Sequence, residues 1–288
     1  MEYVAGVAGF SYKPWVVSGD NVPDQLLVNA QDVDEEKALG VHWKVKEDEL
    51  FVKLGNGGKG GTMRISLSSI IDNPLLKLSL RECLSFHAKA FDPSGLVLPV
   101  KMVGNLLFRQ TLQYLSLKTK AGNQEKGGLP WDMEVDGKLK EKWIEYFSML
   151  ESLSDIKFPR SIKPENVDGN IPPSLVTFSD GNEDAFGTAA YVLWTLKDGT
   201  REARLIMAKA KLGPLLNKGE TVKNELAGAT FAVRLKTWII SNTGLNYSNY
   251  IPFLDSRIVQ DMIKKDSYIL NTFAGLRVKE IAAKSNDP

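Results

Sequence analysis

Val176-Thr177-Phe178-Ser179-Asp180-Gly181-Asn182-Glu183-Asp184-Ala185-Phe186-Gly187 is the stretch on which the reading of this chain turns. An apolar run leads into a carboxylate, a turn of Gly, Asn and Asp follows, and Thr188 to Thr195, rich in Ala, Tyr, Val, Leu and Trp, returns. The pattern predicts a hairpin with an acid at the end of its first strand. Asp before a turn has an ordinary role, accepting hydrogen bonds from the backbone that follows. Two later acids give Asp180 a second reading. Glu225 lies where Glu220 to Ala229 opens an amphipathic helix, and Asp255 ends the short apolar run from Tyr250 to Leu254. A strand-end Asp, a helical Glu and a strand-end Asp, in that order, suit a two-metal nuclease. Hard divalent cations bind carboxylate oxygens, and rigid elements must hold two ions about 3.5–4 Å apart on a phosphate. Each acid keeps its structural alternative: Glu225 as an acid favoured by the helix dipole, Asp255 as a helix N-cap.

From Leu175 the pattern runs strand, strand, strand (Ala203 to Lys209), helix, strand, helix. Val222, Leu226, Ala229, Val233 and Ile240 recur at roughly helical period and predict the buried side of the first helix. Three sequential strands form a meander. The fourth, reached through the helix, is expected parallel to the first by a right-handed crossover, which puts Asp180 and Asp255 at neighbouring strand ends.

Composition bounds the rest. At 288 residues, with 43% hydrophobic and 25% charged, the chain has room for one large domain or two ordinary ones. A net charge of +1 announces no nucleic-acid partner, so any basic surface must come from local clustering. The single cysteine, Cys83, excludes an internal disulfide framework and a thiolate-rich zinc site. His42 and His87 lack metal-ligand spacing and read as structural. There is neither a basic signal-peptide start nor a long apolar run, so the expectation is an intracellular chain, cytoplasmic or nuclear, with no membrane partner.

The first third predicts strands at Leu26–Val28, Leu39–Val45 and Glu49–Leu54, the last two paired across a Lys46-Glu47-Asp48 turn. Gly55-Asn56-Gly57-Gly58-Lys59-Gly60 contains the spacing of a dinucleotide-binding loop, but no βαβ unit surrounds it and it reads as a flexible loop. Helices follow. Ser79 to Glu82 is a capping box, with Leu80, Leu84, Ala88 and Phe91 expected on the buried face. Pro99 starts a second helix, with Val100, Val103, Leu107 and Tyr114 expected inward. A polar loop, Ala121 to Gly128, leads to a third, with Leu139, Trp143, Tyr146, Leu150 and Leu153 as its seam. Ser161 to Pro173, with three prolines, reads as a linker.

Phe178 to Gly187, Ala208-Lys209-Ala210-Lys211 with Pro214-Leu215, Asn224-Glu225-Leu226, and Leu254-Asp255-Ser256-Arg257-Ile258-Val259 followed by Ile263 to Tyr268 resemble, in order, the ribonuclease H region of Pao/BEL-type retrotransposon polyproteins. Gly9 to Trp15 and Leu39 to Trp43 resemble the region just downstream of the polymerase palm's paired aspartates. Phe91 to Leu96, Pro99, Trp131-Asp132 and Pro159-Arg160 resemble the thumb and connection. The resemblance implies an α+β and α/β chain: residues 1–62 as a palm and hairpin remnant, 63–160 as a helical thumb and connection, 161–173 as linker, and 174–288 as a ribonuclease H-like mixed sheet with helices. It implies a catalytic and metal-binding triad of Asp180, Glu225 and Asp255 with two Mg²⁺ (or Mn²⁺) ions. The substrate would be an RNA–DNA hybrid or other nucleic acid, its phosphates positioned by Lys209, Lys211, Lys223 and Arg257. The helical segment would grip template–primer backbone, with Lys101, Arg109, Lys118 and Lys120 as candidates and a solvated helix face as the alternative for each of them.

The sequence also departs from that family. The polymerase motif is not present, Val222-Lys223 replaces the usual Pro-Arg, and the fifth strand, last helix and fourth carboxylate are not found before Pro288. Asp184, Glu183 and Asp266 are the acids that could stand in for the fourth. The alternative expectation is therefore a non-catalytic remnant that binds nucleic acid or protein through Trp131, Trp143 or another uncovered aromatic.

Overall fold

The computed structural model describes residues 16–18, 33–38, 40–54, 66–121, 130–214 and 220–285. The expected strand at Leu26–Val28, the Gly9–Trp15 motif, the glycine-rich loop, most of the polar loop after Ala121 and Asp287 lie outside the described residues.

A small antiparallel sheet comes first, with β1 (Glu35–Ala38), β2 (Val41–Lys44) and β3 (Glu49–Phe51) in sequence order and β4 (Phe158–Pro159) added at its edge. The hairpin expected between β2 and β3 forms, with Trp43 opposite Leu50 and Asp48 in the turn at a φ of 53°. The β1 and β4 strands escape the sequence reading because they are short, and β4 pairs only after the chain has passed through four helices.

Those helices are α1 (Leu67–Asp72), α2 (Leu80–Lys89), α3 (Leu98–Ala121) and α4 (Gly137–Glu151). The Ser79 capping box forms in full: Ser79 Oγ accepts from Glu82 N–H while the Glu82 carboxylate accepts from Ser79 N–H. The buried face of α2 is Leu80, Cys83, Phe86 and His87, not the expected Leu84, Ala88 and Phe91; Ala88 and Phe91 are exposed. On α3 the inward positions are Leu107, Thr111 and Leu115, while Val103 and Tyr114 are exposed. Leu80 and Leu107 are inward as expected and Val100 packs against the same core, but the other expected positions point elsewhere, because two faces of each helix carry apolar residues and only the packing partner selects between them. The α4 seam is as expected, with Trp143, Tyr146 and Leu150 buried on the helix and Leu153 buried in the short 3₁₀ turn that follows it. Trp143 Nε1–H donates to Thr111 Oγ1 at 2.9 Å, and His87 shares a 2.7 Å hydrogen bond with Tyr146, so the large side chains of this core also satisfy their polar atoms. Burial pushes the Cys83 thiol pKa up, which makes it an inert packing residue.

The second sheet has the order β7-β6-β5-β8, built from β5 (Ser174–Gly181), β6 (Ala185–Thr195), β7 (Arg201–Leu212) and β8 (Asn249–Leu254). The meander is antiparallel throughout, and β8, reached through α5 (Thr221–Thr243), pairs with β5 in parallel, as the crossover argument expects. Pro252 lies opposite Thr177 in β8, at the sheet edge, where a missing N–H is tolerated. Leu175 of β5 packs with Leu235 and Ile239 of α5, whereas the expected stripe of Leu226, Ala229 and Val233 faces α6 (Arg257–Ile263) and α7 (Thr272–Ser285). The α5 helix is thus apolar on two sides, which a single stripe could not express. Arg234 clamps α7 through both Glu280 oxygens at 2.7 Å, and this contact, with Lys284, lowers the Glu280 pKa to about 2.

The helical segment and the second sheet are joined at several points. Ala208 N–H donates to Ser94 O, and Trp194 Nε1–H donates to Ile162 O. Val167 packs with Val192 and Trp194, so the proline-rich 161–173 segment lies packed on the sheet. Arg109 donates to Gly213 O, Asp184 O and Asp184 Oδ1 at 3.0, 3.1 and 2.8 Å. Its side chain is only 12% exposed. Arg109 is therefore a clamp between α3 and the β5–β6 hairpin, not the backbone grip the resemblance implied. Lys101 likewise donates to Ala90 O, Lys118 pairs with Asp136, and the Lys120 side chain lies outside the described residues. Arg109→Ala is expected to lower unfolding free energy by ~1–3 kcal/mol, with Arg109→Lys recovering only part because a lysine lacks the fork. A urea melt within the error of wild type would remove the clamp.

Candidate active site

The site is built from the ends of β5 and β8 and the first turns of α5. Along β5, Leu175 and Gly181 face α5, so Asp180 projects on the opposite face with Phe178. The parallel register places Phe178 beside Phe253 and Ser179 beside Leu254. Asp180 and Asp255 follow directly on that ladder and line one cavity of about 730 Å³, walled by Leu98, Pro99, Met102 and Leu106 of α3. Phe178 and Phe253 stack at 4.9 Å between centroids, with Tyr191 edge-on to Phe178. Two aromatic rings thus precede two carboxylates on one sheet face.

The third acid arrives from the other side. A Cβ on Gly181 would stand 2.4 Å from the Asn224 carbonyl carbon and the Glu225 nitrogen, and one on Gly228 would stand 2.8 Å from Asp180 O. Only glycine lets α5 approach this strand end so closely. Asn224, buried, donates from Nδ2 to Asn182 O at 2.6 Å and fixes the helix start to the hairpin turn. Glu225 then reaches the β8 end, where its Oε2 accepts from Ser256 Oγ–H at 2.6 Å.

The structural alternatives for the three acids fall to other residues. Asn182 Oδ1 accepts from the backbone of Asp184 and Ala185, both at 2.9 Å, so Asn182 makes the turn; among the described residues the Asp180 carboxylate accepts from the neighbouring Gly181 N–H. Ser256, not Asp255, caps α6, its hydroxyl accepting from Val259 N–H. The first turn of α5 carries no acid, and Glu225 lies beyond it, bonded to Ser256. Among the described residues no three His, Cys, Asp or Glu side chains converge to hold one ion. The chemistry of the set still suits a hard cation: two exposed carboxylates share a cavity, and a third is hydrogen-bonded to the residue that follows Asp255.

The basic residues divide differently. Lys209 and Lys211 sit opposite Thr188 and Phe186, on the α5 face of β7, and line a separate cavity with Phe231, Arg234 and Trp238. Lys223 pairs with Glu220 and lies over the Phe273 ring at 5.5 Å. Arg257 is exposed at the start of α6, beside Asp255. Of the acids weighed as stand-ins, Asp184 is paired to Arg109 and Asp266 accepts from Tyr268. Trp143 is fully buried and offers no binding surface, while Trp131 is half-buried and stacks on Phe108; the exposed aromatics among the described residues are Phe91, Tyr114, Phe178, Trp238, Phe253 and Tyr268. His42 bonds Glu35, and both histidines are structural as expected. Ser256 and Asn224 are positioning groups that the sequence alone does not single out. Ser256 had a signal, standing between Asp255 and an apolar-periodic run, whereas Asn224 has meaning only once the turn folds onto it.

Among the described residues no helix is long and apolar enough to cross a membrane. No curated protein matches the chain. Among solved structures, a foamy viral protease-reverse transcriptase in complex with dsDNA is 14% identical, covering 91% of this chain and 45% of its own, with a TM-score of 0.42. Native Prototype Foamy Virus protease-reverse transcriptase is 13% identical, covering 68% of this chain and 30% of its own, with a TM-score of 0.26. The chain spans less than half the length of either. A family model described as the Pao retrotransposon-like RNaseH-like domain matches residues 79–256, from the Ser79 capping box to the Ser256 cap. That match takes in more than half of the chain, including Asp180, Glu225 and Asp255, and the chain belongs to the Pao retrotransposon-like RNaseH-like domain family.

Proposed function

We propose that the chain is a metal-dependent ribonuclease H that hydrolyses the RNA strand of an RNA–DNA hybrid. The observation that carries this reading is that Asp180 and Asp255, at adjacent parallel strand ends, line one cavity, while Glu225 is hydrogen-bonded to Ser256, the residue after Asp255. Asp180, Glu225 and Asp255 would hold Mg²⁺ or Mn²⁺, which when bound supplies an activated water and stabilises charge on the leaving oxygen. The protein's own contribution is positioning. The glycine contacts fix the α5 start against β5, Asn224 ties it to the turn, and the Ser256 hydroxyl orients the Glu225 carboxylate. Arg257, exposed and two residues after Asp255, would receive a substrate phosphate. Strand choice would rest on 2′-hydroxyl and shape contacts.

A non-catalytic nucleic-acid-binding role is the second reading, favoured by the lack of three converging ligand side chains among the described residues. End-labelled hybrid incubated with the full chain in Mg²⁺, in Mn²⁺ and in EDTA separates them. Cleavage of the RNA strand only when metal is present, and lost in Asp255→Asn, is the expected result. Bound but intact hybrid under all three conditions would leave the binding role and end the nuclease one.

A further inference from the structure

The second cavity, about 520 Å³, lies on the face of β7 away from Asp180 and Asp255 and is lined by Lys209, Lys211, Phe231, Arg234 and Trp238. Lys209 and Lys211 alternate on one face of the edge strand, both exposed, and neither forms an ion pair among the described residues. Their spacing of about 6.6 Å along the strand lets each reach a different phosphate. Phe231, Arg234 and Trp238 recur at steps of three and four on one stripe of α5. Trp238 is 49% exposed on a helix that is otherwise mostly buried, and Lys211 lies over the Phe231 ring at 5.1 Å. Arg234 is already committed to Glu280, and the Asp92 carboxylate that borders the cavity is occupied by the backbone N–H groups of Leu96 and Val97. Two lysines without an ion-pair partner beside an exposed indole therefore set its chemistry.

We propose that this groove binds single-stranded nucleic acid, with a base stacked on Trp238 and the backbone phosphates on Lys209 and Lys211. Charge complementarity selects a polyanion. The flat indole selects one whose base faces are open, because a duplex buries those faces in its own stack and an acidic peptide has nothing to lay on the ring. The groove adjoins the carboxylate cavity, sharing Leu98, Ala208 and Ala210 across the edge of β7. The inference rests on the nucleic-acid half of the proposed function and does not require hydrolysis.

The test is fluorescence anisotropy of a labelled oligothymidylate with the full chain in EDTA, across a salt series. Trp238→Ala should weaken binding at least ~5-fold with the salt slope unchanged, and Trp238→Phe should retain most of the affinity. Lys209→Ala with Lys211→Ala should weaken binding and flatten the slope of log K against log salt by about 1.4. Wild-type affinity in both variants, no binding by the wild type, or equal competition by polyglutamate would overturn the proposal. Because EDTA and a DNA strand are used, a chain that binds here yet cuts no hybrid would refute the nuclease reading alone.

Discussion

Asp180→Asn is expected to lower metal-dependent cleavage of an RNA–DNA hybrid at least ~100-fold while leaving the melting curve of the protein unchanged. The two halves of that result have separate causes. The Asp180 side chain is exposed, and among the described residues its hydrogen-bond partner is the adjacent Gly181 N–H. An asparagine oxygen can accept that bond equally well, so folding loses nothing of substance. A neutral amide, by contrast, supplies a weaker ligand to a divalent cation and removes one of the two charges that share the cavity. The diagnostic comparison is hydrolysis in Mg²⁺ and Mn²⁺ beside a thermal melt of the same preparation. Equal cleavage by wild type and variant would show that Asp180 is not the ligand. A large fall in melting temperature would show that its role is structural.

Gly181→Ala should be nearly as damaging to cleavage, on the order of 100-fold, although residue 181 would touch neither metal nor substrate. The new Cβ would lie 2.4 Å from backbone atoms of Asn224 and Glu225. Backbone cannot rotate aside as a side chain can, so the start of α5 must move away from β5. That movement strains the Asn224 to Asn182 hydrogen bond and carries Glu225 away from Ser256. Overpacking of this kind costs ~1–3 kcal/mol of stability, so the variant should remain folded at ambient temperature with a lower midpoint in urea. Folding comparable to wild type together with intact cleavage would mean that the contact between α5 and the hairpin does not set the geometry of the acids. Asn224→Ala makes a useful companion. It releases the same helix end without a clash, and should show the same loss in milder form.

The hairpin around Asp180, the strand order of the second sheet, the parallel return of β8 and the capping box at Ser79 were all legible in the residues. Each follows from a local rule: turn chemistry, alternation, or an N-cap reaching the third residue of its helix. The handedness of a crossover then leaves little freedom in how four such strands combine. Inward faces were less legible. The α2, α3 and α5 helices carry apolar residues on more than one side, and the side that is buried depends on which elements arrive from elsewhere in the chain.

By itself the sequence determined the order Asp180, Glu225, Asp255 and the elements that carry them, because strand ends and helix starts are written locally. Only the tertiary structure decided what each neighbour does. It gave the turn to Asn182 and the cap to Ser256, leaving the aspartates free. It made Arg109, a candidate either for a nucleic-acid grip or for a solvated helix face, into a clamp on Asp184, and set Lys209 and Lys211 beside Trp238 on the far face from Asp180. The physical reason is that a charged side chain takes whichever partner or cavity the packing brings within about 3 Å, and residues far apart in sequence supply those partners.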